Sequence, residues 1–372
     1  MKVPFIDLTR FEPGFLNEIN EKLSPMLMKA QFIGGAEVNL LETRLQERLG
    51  VTNVITCANG TDALQLALRA LGVGRGDAVL VPNVTFWATF EAVVNVGANP
   101  TTVDVDLSDA GVDLNALEQA LQVAKPKAVI IAHLYGWGSA HLNKIRQLCR
   151  NHEVFLLEDG AQCFGALYQD ESIYKDALIS TTSFYPAKVL GGAGDGGAVF
   201  TNDSDLADKV RCLGNHGRAT HYGYSDVGWN SRLDSLQAAY INLSLNYIDQ
   251  RIASRVRTAL SYQECLPEFG LEVLIPPKSY QENGYCNTCL VRDSDLKISI
   301  ENALKLAEIG FGNIYPGAMS KQAGAEGFNL GHFGGNNSDI LCSSVLNLPL
   351  FPYMTNDEVD YVIHIVKLAM KN

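Results

Sequence analysis

A lysine in the middle of the chain stands where an amine could act as a nucleophile. Lys188 closes the segment 183–188, which reads SFYPAK, and a glycine-rich run over 191–197 follows it. Residues 177–182 are apolar or β-branched and predict a short buried strand that ends near Ser183. A lysine that is partly removed from water loses its proton more readily and can form a Schiff base. An ordinary solvated lysine beside a flexible glycine segment is the alternative that this stretch leaves open.

The glycine run also matches a dinucleotide-binding pattern. Residues 192–197 read GAGDGG and satisfy G-x-G-x-x-G. That fingerprint requires a strand before it and a helix after it. Here a loop precedes the run, and residues 198–201 predict a strand, so we exclude a nicotinamide site.

A turn after the first predicted strand suits a phosphate group. Residues 59–62, Asn-Gly-Thr-Asp, follow the apolar strand 54–56 and open a helix. Gly60 allows a ligand to approach the backbone closely, and the free N–H groups at the start of a helix attract an anion. A simple helix N-cap is the alternative.

Two more strand ends carry groups that suit a planar, charged ring. Phe86 lies between the strand 79–81 and the next helix, where an aromatic side chain could stack on a ring. Asp159 follows the buried strand 154–157, and a carboxylate there is costly unless a group pairs with it. A pyridinium nitrogen would pair with it and would remain an electron sink. Core packing for the aromatic and a helix N-cap for Asp159 are the simpler alternatives.

Together these groups are the parts of a pyridoxal phosphate site. In open α/β sheets, ligands bind outside the carboxyl ends of the strands, and every one of these groups falls on a predicted strand end. They are a phosphate turn at Gly60, a ring stacker at Phe86, an acid for the pyridine nitrogen at Asp159, a hydroxyl for the phosphate at Ser183 and an amine for the aldehyde at Lys188.

The order of predicted elements indicates an α/β fold in two parts. From residue 53 onward, apolar strands alternate with helices, which is typical of a largely parallel sheet covered on both faces. A long helix is predicted from about residue 231 toward 262. Beyond it, strands at 271–274, 285–291 and 311–315 alternate with helices. We therefore predict a large α/β domain over residues 1–250 and a smaller α+β domain over 251–372.

Composition excludes several classes of function. Of the 372 residues, 47% are apolar and 19% are charged, as in an ordinary globular enzyme. The net charge of −12 argues against nucleic acid or anionic membrane as a partner. No apolar run approaches transmembrane length, and the first residues lack the apolar segment of a secretory signal. Eight scattered cysteines predict a reducing cytoplasm, and the lone pair Cys286 and Cys289 predicts no metal site.

The chain resembles the DegT/DnrJ/EryC1/StrS family of sugar aminotransferases over nearly its whole length. The resemblance implies fold type I of the pyridoxal-phosphate-dependent enzymes, a mostly parallel, seven-stranded sheet sandwiched by helices, with a smaller C-terminal domain. The motifs that carry it are FIGG at 32–35, NGTDAL at 59–64, PNVTF at 82–86, HLYG at 133–136, EDGAQ at 158–162, SFYPAK at 183–188, GDGGA at 194–198, NSRL at 230–233 and LPLFP at 348–352.

The resemblance also implies roles for the residues that would bind the cofactor. Lys188 would carry pyridoxal phosphate as a Schiff base, and Asp159 would pair with the pyridine nitrogen. Gln162 would lie against the ring hydroxyl and Phe86 against the ring face. The phosphate would lie at Asn59, Gly60, Thr61 and Ser183, with Asn230 reaching it from the partner subunit of a homodimer with shared active sites.

The activity implied by the resemblance is transfer of an amino group from L-glutamate to a nucleotide-linked keto sugar. Carbon 3 is favoured over carbon 4, and such products enter O-antigen, other polysaccharides of the surface, or antibiotics. Arg232 and Lys321 are candidates for the anionic groups of glutamate or the nucleotide, although each is equally explained as a surface charge. Tyr315 and Ser320 lie in the segment that faces the sugar, where many relatives carry His or Asn in place of Ser320.

Two other functions belong to similar proteins. Sugar 3-dehydratases of the same fold carry His at the position of Lys188, so the lysine favours amino transfer. Non-catalytic pyridoxal phosphate sensors carry an added DNA-binding segment, and this chain has neither a basic block nor spare length for one. Either alternative would be supported by a protein that bound the cofactor but made no 2-oxoglutarate from glutamate.

Overall fold

The computed structural model describes residues 1–220 and 222–371. Its α-helices are α1 Phe15–Met28, α2 Ala36–Leu49, α3 Gly60–Ala70, α4 Trp87–Asn95, α5 Leu114–Ala124, α6 Leu142–Asn151, α7 Ser204–Gly214, α8 Ser235–Ser244, α9 Ile248–Cys265, α10 Ser294–Leu306, α11 Asn337–Ser344 and α12 Asn356–Ala369. Its strands are β1 Asn53–Cys57, β2 Ala78–Pro82, β3 Asn99–Val103, β4 Ala128–Ala132, β5 Phe155–Asp159, β6 Leu167–Tyr168, β7 Glu171–Ser172, β8 Ile179–Ser183, β9 Gly197–Thr201, β10 Glu272–Val273, β11 Tyr280–Gln281, β12 Cys289–Leu290, β13 His332–Phe333 and β14 Val345–Leu346. Short 3₁₀ turns cover Pro267–Phe269, Met319–Lys321 and Ala323–Ala325.

The large sheet has the strand order β1-β9-β8-β5-β4-β2-β3-β13. Strands β8, β5, β4, β2, β3 and β13 are parallel to one another, whereas β9 runs antiparallel to both β1 and β8. The prediction of a mostly parallel sheet between helices is therefore confirmed. The eighth strand, β13, is a two-residue addition from the C-terminal part of the chain, which the sequence did not predict.

The central strands are apolar throughout because both faces of the sheet are covered. On β4, Val129 and Ile131 belong to one hydrophobic core, whereas Ala128 and Ile130 belong to the core on the opposite face. Successive side chains of a strand point to opposite faces, so a strand between two cores must be apolar at every position.

A third hydrophobic core forms around the C-terminal helices. It packs α10 and α12 against the three-stranded sheet β10-β12-β14, with Tyr262 of α9 and Val3 buried in it. The other small sheet has the order β11-β6-β7. The division into domains at residue 250 stays a prediction, because residues beyond 250 supply most of this third core and also the edge strand β13 of the large sheet.

Two elements predicted from the sequence are wrong, and a third, the strand at 285–291, is shortened to Cys289–Leu290. The helix expected from residue 231 toward 262 is broken into α8 and α9, because Asn246 and Tyr247 donate backbone hydrogen bonds three residues back, at 3.0 and 3.1 Å, in a tight turn. The Asn246 side chain also accepts a hydrogen bond from Arg44 at 2.8 Å, which holds the turn in place. The strand expected at 311–315 is reduced to one bridge at Gly312, and Tyr315 has φ +66°, outside the strand region.

Within the described residues, no helix is both long enough and apolar enough to span a bilayer. The same residues contain no group of three or more His, Cys, Asp and Glu side chains arranged to hold a metal ion.

Candidate active site

The start of α3 meets the end of β8 at one edge of the large sheet. Strand β9 lies between β1 and β8, and its first residue, Gly197, pairs with Cys57 of β1 on one side and Ser183 of β8 on the other. The carboxyl ends of β1 and β8 are therefore at the same edge of the sheet, one strand apart. A Cβ atom placed on Gly60 would lie only 2.8 Å from the Cβ of Ser183. The Asn59 side chain caps the helix by accepting a hydrogen bond from the Asp62 N–H at 2.8 Å.

The N-cap at Asn59 and the anion site are compatible interpretations of this turn. The side chain of Asn59 accepts a hydrogen bond from the backbone N–H of Asp62. The backbone N–H groups of Gly60 and Thr61, which come before Asp62 in the first helical turn, have no partner within the helix. These N–H groups, the positive end of the helix dipole and the Ser183 hydroxyl together suit a phosphate. The structure thus brings together the four residues predicted to hold it.

We expect Gly60→Ala to weaken binding of pyridoxal phosphate. The added methyl group would displace Ser183, which lies 2.8 Å from it, and would enter the space that the phosphate needs. Titration of the apoenzyme with pyridoxal phosphate should give a Kd raised by about tenfold or more, which corresponds to about 1.4 kcal/mol.

Gly331→Ala is the matched control for that substitution. A Cβ atom on Gly331 meets no atom within 4 Å, so this variant should bind the cofactor as the unaltered protein does. An unchanged Kd for Gly60→Ala would contradict the proposed phosphate position.

Asp159 ends β5 with 8% of its surface exposed. Its Oδ2 accepts a hydrogen bond from Thr89 Oγ1 at 2.8 Å, and Thr89 in turn lies 2.8 Å from Thr85 Oγ1. Its Oδ1 accepts a hydrogen bond from the Ala161 N–H at 3.1 Å. In the described chain no helix follows before β6, so Asp159 does not act as a helix N-cap.

Thr89 is a site residue that the sequence analysis missed. It lies in the first turn of α4, four residues after Thr85, which precedes the N-cap residue Phe86, and the two hydroxyl groups are in contact. The Thr-x-x-x-Thr spacing at the end of a strand was the available signal. The two hydroxyl groups fix the orientation of the Asp159 carboxylate.

The structure distinguishes two adjacent aromatic residues at the start of α4. The side chain of Phe86 is 61% exposed. Trp87 stacks on Phe90 with ring centroids 5.0 Å apart and packs against Gly324. Phe86 is therefore the aromatic residue free to stack on a ligand ring.

Gln162 joins two tyrosines near the same sheet edge. Its Oε1 accepts a hydrogen bond from the Tyr135 N–H at 2.7 Å, and its Nε2 donates to the Tyr315 hydroxyl. Burial raises the pKa of Tyr315 well above its ordinary value, and the nearby Tyr285, Tyr135 and Asp159 raise it further. Tyr315, predicted to meet the substrate, therefore lies among the residues predicted to hold the ring.

The Lys188 amine lies against Tyr285. Its Nζ is 3.3 Å from the Tyr285 hydroxyl and 5.0 Å from the centroid of that ring. The sequence analysis missed Tyr285, because it placed this residue in a strand over 285–291, of which only Cys289–Leu290 forms. The site is thus completed by a residue from the C-terminal part of the chain.

A buried ion network lies immediately before Asp159. Glu158 accepts hydrogen bonds from Arg146 at 2.7 and 2.9 Å and contacts His133 Nε2 at 2.9 Å. Burial by itself would raise the pKa of Glu158, but His133 and the Arg146 guanidinium outweigh burial and hold the pKa below its ordinary value. The backbone N–H of His133 donates to the Asp159 carbonyl at 2.9 Å, so the network also supports the strand end that carries the acid.

We expect Glu158→Gln to destabilise the protein by about 3 kcal/mol, because it leaves the Arg146 guanidinium buried without its counter-charge. Glu158 has a depressed pKa in the folded state, so its contribution is present above the ordinary value of 4.5 and is lost as the pH falls below it. Urea unfolding at pH 7 and at lower pH should show a stability difference that narrows in acid.

Glu118→Gln, on the exposed face of α5, is the control and should change the free energy of unfolding by less than about 0.5 kcal/mol. A Glu158→Gln protein as stable as this control at pH 7 would show that the ion network contributes little.

Asn230 and Arg232 lie together on the surface. The Arg232 Nη2 donates to the Asn230 Oδ1 at 2.7 Å, and both side chains are exposed. They line a cavity of about 320 Å³ with Ala58, the residue that precedes the phosphate turn. Their predicted contacts with phosphate and substrate stay predictions.

Ser320 and Lys321 lie in a short 3₁₀ turn next to the end of β2. The backbone N–H of Ser320 donates to the Asn83 Oδ1 at 2.9 Å. The Lys321 amine pairs with Asp339 at 2.6 Å, and this exposed pair is weak in water. Lys321 would have to exchange that partner to bind a substrate anion, so its role also stays a prediction.

Pyridoxal phosphate fits the residues at this edge of the sheet. Gly60 leaves space at an anion-attracting helix start, and Phe86 has a free ring face. The buried Asp159 carboxylate, which accepts hydrogen bonds from the neutral Thr89 and Ala161 donors, suits a positively charged partner. Lys188 supplies an amine at the same edge. A sheet, an acid and an amine in this arrangement define the class of fold type I pyridoxal-phosphate-dependent enzymes.

The chain belongs to the DegT/DnrJ/EryC1/StrS aminotransferase family, whose model matches residues 15–367. It is therefore an aminotransferase. It is 35% identical over 360 residues to UDP-2-acetamido-2-deoxy-3-oxo-D-glucuronate aminotransferase of Pseudomonas aeruginosa, covering 97% of this chain and 98% of the relative. It is 33% identical over 373 residues to UDP-N-acetyl-3-dehydro-alpha-D-glucosamine 3-aminotransferase of Acidithiobacillus ferrooxidans, covering 99% of this chain and 98% of the relative.

Solved structures agree with this membership. A DegT DnrJ EryC1 StrS aminotransferase from Brucella abortus superposes with a TM-score of 0.94 at 33% identity, over 100% of both chains. NtdA from Bacillus subtilis, solved with bound PMP, superposes with a TM-score of 0.91 at 28% identity, over 100% of this chain and 86% of that one.

Proposed function

We propose that this aminotransferase moves an amino group from L-glutamate to the 3-keto group of a nucleotide-linked sugar. Pyridoxal phosphate is the cofactor. The observation that carries the proposal is the Lys188 amine at the same sheet edge as the buried Asp159 carboxylate and the Gly60 turn. The two relatives described above bear names that specify UDP-linked 3-oxo sugars, which makes UDP the first nucleotide to test.

Bound pyridoxal phosphate supplies an aldehyde that carries the amino group and a ring that accepts electrons. Asp159, oriented by Thr89, holds positive charge on the ring nitrogen. Gln162 is fixed by Tyr135 and Tyr315, which leaves it in place to meet the ring hydroxyl. The Lys188 amine takes and returns the proton at the carbon that exchanges the amino group.

The substrate would enter over the exposed ring of Phe86. Arg232 offers an exposed planar guanidinium, which suits the carboxylate of glutamate or the diphosphate of the nucleotide. Tyr315, Ser320 and Lys321 lie on the segment beyond the end of β2 and would contact the sugar. Surface polysaccharide synthesis in the cytoplasm is the setting that such a reaction serves.

We also propose a homodimer whose subunits share active sites. Large apolar side chains are exposed on the segment 8–33, including Leu16, Leu27 and Phe32, and Ile33 lies in the same cavity as Asn230. Several large exposed apolar side chains in one segment are typical of a protein interface. Mixing inactive Lys188→Ala protein with Asn230→Ala protein should restore activity, because one site of each mixed dimer would be intact.

The decisive experiment uses the pyridoxamine form, prepared by incubating the purified enzyme with glutamate. It is then mixed with UDP- and dTDP-linked 3-keto and 4-keto sugars, and the return of the aldehyde absorbance is followed. We expect the UDP-linked 3-keto sugar to restore it fastest. A faster return with a 4-keto sugar would contradict the carbon assignment, and failure of glutamate to yield 2-oxoglutarate would contradict the amino donor.

A further inference from the structure

Tyr285 contacts the reacting amine although it lies outside the family motifs named above. The Lys188 Nζ donates to its hydroxyl oxygen at 3.3 Å and lies 5.0 Å from its ring centroid. The hydroxyl oxygen and the ring face of Tyr285 both contact the amine, so two parts of this side chain hold Lys188 Nζ in place. The contact is made by the unmodified Lys188 amine, the form that this side chain takes whenever it is not joined to the cofactor.

Hydrogen bonds of a neighbouring asparagine hold Tyr285 in position. The Asn283 Oδ1 accepts from the Tyr285 N–H at 2.9 Å, and its Nδ2 donates to the Gln162 carbonyl at 2.9 Å. Asn283 is completely buried. The tyrosine that contacts Lys188 is therefore tied to the loop whose Gln162 is proposed to meet the ring hydroxyl.

The backbone beside Tyr285 is fixed from the other side as well. Gly284 has φ +64°, a conformation that favours glycine. A Cβ atom on Gly284 would lie 2.6 Å from the Cβ of Arg255 on α9. The segment 283–285 is thus packed between α9 and the loop after β5, which fixes the backbone position from which the phenol reaches Lys188.

When Lys188 is not joined to the cofactor, its amine needs a hydrogen-bond partner to fix its position, because four methylene groups with rotatable bonds link it to the backbone. Proton transfer requires the amine nitrogen within hydrogen-bond reach of the carbon-bound proton, and a misplacement of about 1 Å costs about 10²-fold in rate. Thr89 orients the acid and Gln162 is held by its own partners, but neither contacts the amine. Tyr285 is the side chain placed to do so.

We propose that Tyr285 positions the free Lys188 amine for proton transfer, an inference that rests on the proposed amino transfer. The proton leaves the α-carbon of the amino donor for the lone pair of the Lys188 nitrogen, and the electron pair of the broken C–H bond passes to the cofactor ring. Tyr285 accepts an N–H hydrogen bond from the resulting ammonium group and neither gains nor loses a proton. The ammonium then delivers the proton to the cofactor carbon, which returns the lysine to its amine form.

The test is Tyr285→Phe, which removes the hydroxyl oxygen and keeps the ring. We expect kcat with glutamate to fall by about 10²-fold while KM for glutamate stays within about twofold, because the donor site is unchanged. The deuterium isotope effect with [2-²H]glutamate should rise, because proton transfer becomes the slow step. An unchanged kcat, or a loss confined to KM, would overturn the proposal.

Borohydride reduction separates this inference from the proposed function. Both the unaltered enzyme and Tyr285→Phe should yield a cofactor adduct on Lys188, detected by peptide mass spectrometry. Absence of the adduct from the unaltered enzyme overturns the proposed function itself, whereas adducts in both with equal rates overturn only the role of Tyr285. Tyr361→Phe removes a hydroxyl that donates to the Ala307 carbonyl in the C-terminal core and should leave kcat and the isotope effect unchanged.

Discussion

Lys188→Ala should abolish amino transfer, with kcat lowered by about 10⁴-fold, the upper end of what a general acid–base group contributes. The substitution removes the amine that we propose to bind the cofactor aldehyde and to move the proton. The measurement is release of 2-oxoglutarate from glutamate in the presence of a keto sugar. Borohydride treatment should give no cofactor adduct at this position.

Lys144→Ala is the control for the loss of a lysine. Lys144 is exposed on α6, and its removal should leave both the rate and the adduct on Lys188 unchanged. A Lys188→Ala enzyme that converted keto sugar at an undiminished rate would show that another group carries the chemistry.

Asp159→Asn should lower kcat by about 10³-fold, because a neutral amide cannot hold positive charge on the ring nitrogen. The amide can still take the hydrogen bond from Thr89, which lies 2.8 Å from Oδ2, so the fold of the strand end should be retained. Single-turnover measurements of the glutamate half-reaction would isolate the affected step. The loss should appear in kcat more than in the KM for glutamate.

Asp208→Asn, on the exposed face of α7, serves as the control for removing one negative charge. Equal half-reaction rates for Asp159→Asn and this control would mean that the ring nitrogen is served by a different group. A lower thermal stability of Asp159→Asn alone would not account for a lost rate measured on folded protein at 25 °C.

The parts of the site that were predictable from the sequence follow strand ends directly. Asp159 is the last residue of β5, and Gly60 and Lys188 lie shortly after the ends of β1 and β8. The apolar pattern of the strands, with the rule that ligands bind at the carboxyl ends of parallel strands, was therefore enough to group these residues.

The parts that were missed depend on contacts between distant segments. Tyr285 reaches Lys188 across 97 residues of sequence, and its position is fixed by Asn283 rather than by a local pattern. The break between α8 and α9 contains no proline or glycine, so the helical pattern of the sequence continues through it. The turn is instead held by a hydrogen bond from Arg44, 202 residues earlier, to Asn246. Such long-range contacts override local preference.

The segment between Ser320 and β13 is tied to the large sheet at both ends. At the first end, Asn83 accepts hydrogen bonds from the backbone N–H groups of Met319 and Ser320 at 2.8 and 2.9 Å. At the other end, the Leu330 N–H donates to the Pro100 carbonyl at 2.9 Å, and β13, which follows, pairs with β3. Residues 321–329 therefore form a loop whose two ends are bonded to the large sheet, with the Asn329 side chain adding a contact to Thr102 of β3 at 3.4 Å. If this loop contacts the sugar as proposed, replacing its inner residues should change the sugar that is accepted while the sheet and Lys188 keep their positions.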